Sequence, residues 1–211
     1  MTTNRTTTAL AVALAAGCTG CTAAQYGGSG GALNDAGNAP GVTTFTITVL
    51  DEGTVGTFGK LTLANLQHSW CGDLKITLTA PVASSVSIVD RIGYPGSLFG
   101  DSSNFLGTYA FADGGSDLWA LATQQGNGSA YNIASGTYGA TGSGGAAVAL
   151  AAFLEGRNAH GLWTLTITDA ESGDTGSLGG WSLDMTVVPA PGVLAAMAPL
   201  AALGRRRRSN R

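Results

Sequence analysis

Thirteen carboxylates against two histidines set the chemistry open to this 211-residue chain. Oxygen-rich loops suit calcium, a hard cation that takes about six to eight oxygen ligands. Asp90, Asp101 and Asp113 lie on or beside a middle span rich in Gly, Ser and Asn, and Asp169, Glu171 and Asp174 crowd a later turn. Calcium is therefore the one cofactor these residues suggest, with Asp101 and Asp113 the expected ligands. Neither group has the fixed spacing of a calcium loop. Aspartate also favours turns because it accepts local backbone hydrogen bonds, so that second reading stays open. His68 and His160 have no G-x-S-x-G elbow to act on, and no catalytic residue is assigned. Trp70, Trp163 and Trp181 precede or begin alternating segments and are expected in the core. Trp119 stands outside such sequence and is the one aromatic expected to offer a ring to a bound sugar. Cys71 is expected as a small buried hydrophobe.

The elements that must carry these residues are strands. Trp163, Leu165 and Ile167 alternate with Thr164, Thr166 and Thr168. A period of two with β-branched residues describes a half-buried strand. A Gly/Asp/Ser-rich stretch follows, then Trp181, Leu183 and Met185 alternate again, so the unit is read as a hairpin with a long loop. Phe45, Ile47 and Val49, then Leu61 and Leu63, Leu74, Ile76 and Leu78, and Val86 and Ile88 supply further strands, with turns at Asp51-Glu52-Gly53, Cys71-Gly72-Asp73 and Ala80-Pro81. From Gly93 to Gly145 the pattern loosens into loop, and one short helical turn is expected around Ala147–Leu154. Strands spaced by turns without a long amphipathic helix predict an all-β fold, a jelly-roll-like β-sandwich. Charge narrows the partners. The middle of the chain holds Lys60, Lys75, Arg91 and Arg157 against all thirteen carboxylates, a balance of about −9. Such a body repels phosphate backbones, so no nucleic-acid partner is expected.

Both ends read as addresses. Residues 1–24 hold one Arg, the apolar run Ala9–Ala16 and small residues, as a secretory signal does, with cleavage expected after Ala24. Leu14-Ala15-Ala16-Gly17-Cys18 also resembles a bacterial lipobox, with Ala15 where a larger aliphatic is usual, and lipidation of Cys18 is the competing outcome. Residues 25–42 read as a flexible small-residue linker. At the other end, Val188-Pro189-Ala190-Pro191-Gly192 leads into the apolar run Val193–Leu203 and then Arg205, Arg206, Arg207 and Arg208. The order of Pro motif, short apolar run and basic cluster resembles the PEP-CTERM sorting signal, although the acidic residue of that motif is missing. The resemblance implies transient membrane insertion of residues 188–211 and processing by exosortase-type machinery, with Pro189, Pro191 and the four arginines as the processing signal. The protein is then expected to be bacterial and exported to the cell envelope, surface or extracellular matrix.

A second resemblance covers the body, residues 43–187. His68-Ser69-Trp70-Cys71-Gly72-Asp73-Leu74 with Ile76-Thr77-Leu78-Thr79-Ala80-Pro81, then Arg91-Ile92-Gly93-Tyr94-Pro95-Gly96, then Gly161-Leu162-Trp163-Thr164-Leu165 and Gly173-Asp174-Thr175-Gly176-Ser177-Leu178 with Trp181-Ser182-Leu183, resemble the P domain of subtilisin-like proprotein convertases. The small, apolar Ser143–Ala152 stretch departs from that pattern. The resemblance implies a β-sandwich that stabilises a peptidase without being catalytic, and calcium in some members. The resulting expectation is a non-catalytic exported module that binds or scaffolds a cell-surface or matrix polymer. An accessory domain serving a protease in trans, and a carbohydrate-binding module, are the alternatives.

Overall fold

The computed structural model describes residues 21–124 and 131–190. Its strands are β1 (Thr22–Ala32), β2 (Gly41–Val49), β3 (Thr54–His68), β4 (Leu74–Ala80), β5 (Ser84–Asp90) and β6 (Asn104–Ser116). A short helix α1 (Leu118–Gln124) follows, then β7 (Asn132–Ile133), β8 (Gly136–Tyr138), β9 (Ala140–Thr141) and β10 (Ala147–Val148). A one-turn helix α2 (Leu150–Leu154) precedes β11 (Gly161–Asp169) and β12 (Gly176–Val188). One sheet runs β1-β12-β3-β6, with β7 and β8 pairing parallel to β6, and the other runs β2-β11-β4-β5. The chain is an all-β sandwich, as its alternation predicts.

The period of two sorts each strand into an inner and an outer face. On β11, Trp163, Leu165 and Ile167 are buried, and they meet Leu61, Leu63, Tyr109, Phe111 and Leu183 of the opposite sheet in one core. Each such side chain taken fully from water contributes roughly 1.5–3 kcal/mol. The outer face of β11 is hydroxylated and matched by its neighbours. Thr164 stands opposite Thr46 and Thr79, and Thr166 opposite Thr44 and Thr77. Cross-strand threonine pairs of this kind add about 0.2–1 kcal/mol each.

Three local expectations change. β11 and β12 do not form a hairpin: β11 pairs with β2 and β4, whereas β12 pairs with β1 and β3. Both strands turn a tryptophan face inward, and two strands of one hairpin on one sheet would leave the opposing layer without its own apolar face. The Gly/Asp/Ser-rich stretch is therefore a crossover between layers about 10 Å apart.

Residues 25–42, read as a linker, contain most of β1, which is bonded to β12 in the register Thr22↔Val187 to Ala32↔Ser177. Its glycines are there for space. A Cβ on Gly28 would sit 2.7 Å from Trp181 Nε1 and 2.9 Å from Ile47, and one on Gly30 would strike the Leu178 carbonyl. A strand built this way has no side-chain alternation to read.

The span from Gly93 to Gly145 is likewise more ordered than expected. It contains β6, whose Phe105, Tyr109 and Phe111 are all buried, followed by α1 and the short strands. The edge-to-face pair Phe105–Tyr109, with ring centroids 4.9 Å apart, anchors this strand. The expected helical turn near Ala147–Leu154 is α2.

Candidate functional site

β3 delivers His68 to one end of the sandwich, and β11 delivers Asp169 to the same place. His68 Nε2 lies 3.0 Å from Asp169 Oδ2, with both side chains almost wholly buried. On the other side of the ring, Nδ1 lies 2.8 Å from the Trp70 carbonyl and 3.2 Å from the Trp70 amide nitrogen. Burial holds the Asp169 carboxyl above the usual range, opposed by its contact with His68. This histidine is a brace between β3 and β11.

Between His68 and β4 the chain makes one 3-10 turn, Cys71–Asp73. Its amides are held from the 91–103 loop: Cys71 N–H donates to the Ser103 carbonyl at 2.7 Å and Gly72 N–H to the Asp101 carbonyl at 2.9 Å. No side chain fits at Gly72, where a Cβ would lie 2.5 Å from Asp101 N. Trp70 Nε1 donates to the Phe99 carbonyl at 2.7 Å and ties the tip of that loop down. The crossover after β11 closes the other side, with Ala170 N–H donating to the Asp73 carbonyl at 2.9 Å.

The result is a cleft of about 240 Å³ lined by Trp70, Asp73, Phe99, Glu171, Ser172 and Asp174. Arg91 donates to Glu171 Oε1 at 2.8 Å and to the Gly72 carbonyl at 3.1 Å, and its guanidinium stacks 4.5 Å from the Tyr94 ring centre. Asp174 Oδ1 accepts from Ser69 Oγ at 2.7 Å. Asp73 is only 2% exposed, and its Oδ1 has no hydrogen-bond partner among the described residues. Burial first, and the nearby Asp169 and Asp174 charges next, push its carboxyl up to about 7 against the pull of His68 and Arg91. Phe99 stands more than half exposed, as does its neighbour Leu98. A larger groove of about 480 Å³ lies beside Ala23–Gln25, Gly59 and Met185, but its one charged group, Asp184, is already engaged by Lys60 and Gln25.

The expected site residues fall elsewhere. Asp101 is buried, and its Oδ1 accepts from Ser103 N–H at 2.9 Å and from the Cys71 thiol at 3.6 Å. Both oxygens of Asp113 accept from the first amides of α2, Leu150 at 2.7 Å and Ala151 at 3.0 Å. Asp101 lies just before β6 and Asp113 near its far end. Each carboxylate is committed to backbone amides at its own end of the strand. Among the described residues no group of three or more His, Cys, Asp or Glu side chains is gathered around a common point for a metal. Asp90 faces Lys75 at 3.5 Å, and His160 faces Glu52 at 3.4 Å near the surface. Trp119 is half-buried on α1 with its ring against the backbone of Gly145. Cys71 is fully buried, and that burial, with Asp101 beside it, pushes the thiol well up. Ala24 lies inside β1 opposite Met185, and Pro189 follows β12. Pro191 and Arg205 to Arg208 lie outside the described residues. Asp73 is the residue sequence reasoning missed. Its signal was the Gly72-Asp73-Leu74 step, an aspartate placed between an obligatory glycine and a buried strand start.

No curated protein matches this sequence. Among solved structures the chain is similar to the Aeromonas sobria serine protease in complex with its chaperone ORF2, at 16% identity and TM-score 0.42, over 80% of this chain and 28% of that one. A second structure of the serine protease of Aeromonas sobria gives 17% identity and TM-score 0.42, over 79% of this chain and 27% of that one. The chain thus spans less than a third of the length of either protease chain. The family comparison is more local: residues 119–185, from α1 into β12, match the model of the proprotein convertase P-domain, and that match supports a P domain in this sandwich.

Proposed function

We propose that this chain is a non-catalytic β-sandwich module, exported through its N-terminal segment and displayed at the cell envelope or matrix through its C-terminal one, where it binds a partner. The observation that carries the reading is the end of the sandwich around His68. Its histidine is spent on bracing, with one ring nitrogen on Asp169 and the other on the Trp70 carbonyl. Beside it, the cleft combines aromatic walls with carboxylates, which is how recognition sites are made, with a few polar groups on an apolar frame. Cell fractionation, with mass spectrometry of both termini and a casein-hydrolysis assay on the purified chain, tests it. Surface material carrying the chain, trimmed at residues 188–211 and without peptidase activity, is the expected result. Hydrolysis abolished by His68→Gln would overturn the reading.

The P-domain match favours one further version, an accessory domain acting on a separate subtilisin-like peptidase. Co-purification of such a peptidase with the exported chain supports it. The carbohydrate-binding alternative is tested by retention on insoluble polysaccharide and its loss in Trp119→Ala.

A further inference from the structure

We propose that the cleft between Trp70 and the 170–175 crossover receives a single basic side chain, a lysine or an arginine, presented by a partner polypeptide. The proposal rests on the binding-module reading above and names its ligand. Asp73 begins the argument. Buried carboxylate oxygens in folded proteins have hydrogen-bond donors, yet Asp73 Oδ1 has none among the described residues, although its residue lines the cleft. The missing partner is a donor, and a charged donor suits a carboxylate best.

The walls agree. Asp174 spends Oδ1 on Ser69 and Glu171 spends Oε1 on Arg91, so one oxygen of each carboxylate is uncommitted. Arg91 itself is occupied by Glu171, the Gly72 carbonyl and Tyr94 and does not fill the cleft. Trp70 and Phe99 complete the lining. Aromatic faces attract an ammonium or guanidinium within about 6 Å, whereas a hard metal ion needs a shell of oxygen ligands that rings do not supply. At about 240 Å³ the space is below the roughly 300–1,000 Å³ of small-molecule pockets and suits one long side chain. The body's balance of about −9 steers cations toward it.

Acid should weaken the contact. Asp169, Asp174, His68 and Arg91 act on Asp73, Glu171 shares its cleft, and the carboxyl, pushed up to about 7 chiefly by burial, must ionise to meet a cation. Binding then takes up the ionised form and releases a proton. Affinity falls about tenfold from pH 8 to pH 6 for one such group.

The test is isothermal titration of the purified full-length chain with acetyl-Gly-Ser-Lys-Ser-Gly-amide, and with the same peptide carrying norleucine for lysine. The lysine peptide is expected to bind saturably and the norleucine peptide not at all. Asp174→Asn and Asp73→Asn should each weaken it about tenfold, the usual worth of a hydrogen bond to a charged group. Both substitutions keep the side-chain shape, and melting curves confirm that each variant is folded. Equal binding of norleucine, unchanged binding by folded Asp73→Asn, or saturable calcium binding that displaces the peptide would each overturn the proposal. If no lysine peptide binds while the chain still attaches to surface material, the ligand assignment fails and the module reading stands. Loss of both removes the module reading as well.

Discussion

Asp73→Asn should make this protein more stable, by an amount that grows from nothing near pH 4 to its full size above pH 7. The carboxyl moves from an ordinary value of 3.8 in the unfolded chain to about 7 in the fold. Each unit is worth about 1.4 kcal/mol, so the full shift would put the cost of holding an ionised Asp73 near 4 kcal/mol. Solvent screening at the mouth of the cleft reduces this to about 2 kcal/mol. The sign follows from proton counting. Between pH 4 and pH 7 the folded chain holds a proton on Asp73 that the unfolded chain has lost. Stability from this group is therefore complete below about pH 4 and is lost as pH rises through 7. Asparagine cannot ionise and does not pay this cost. Thermal melts of parent and variant in ligand-free buffer should differ by about 4–8 °C at pH 8, for a domain of this size, and converge by pH 4. A variant less stable than its parent at pH 8, or a gap that ignores pH, would refute the account. The gain would accompany a loss of cation binding, the usual exchange when a strained functional group is relieved.

Three other outcomes follow from the same geometry. His68→Ala leaves Asp169 buried without its partner and should cost about 3 kcal/mol in urea unfolding at pH 7. Gly28→Val drives a branched side chain into Trp181 and Ile47 and should destabilise by about 1–3 kcal/mol, read as a lower melting temperature with β1 exchanging its amides faster. The Cys71 thiol, fully buried and with its ionisation suppressed, should resist a thiol reagent at pH 8 until the chain is unfolded in urea.

How far the sequence could be read depended on side chains being present to read. β2, β4 and β11 were legible because Phe45-Ile47-Val49, Leu74-Ile76-Leu78 and Trp163-Leu165-Ile167 alternate with threonine or lysine. β1 was not, because its glycines are there to let Trp181 and the β12 backbone approach. β6 was half legible: Phe105, Tyr109 and Phe111 share a parity, but Gly107 and the neighbouring glycines hid it within loop-like composition. Asp101 and Asp113 looked like a pair on sequence proximity to one loop. A strand separates them, and each serves backbone amides at its own end.

Sequence by itself determined the class of fold, the inward faces of its longer strands and the acidity of its body, because a period of two and a charge count are local properties of the chain. Tertiary structure decided which strands share a sheet. It placed Trp163 and Trp181 in opposite layers, made a bracing pair of His68 and Asp169 across 101 residues, and left Asp73 buried with one oxygen unmet. Alternation states which face of a strand is buried but not what covers it. That choice belongs to the packing of segments distant in sequence, and the candidate site exists only where they meet.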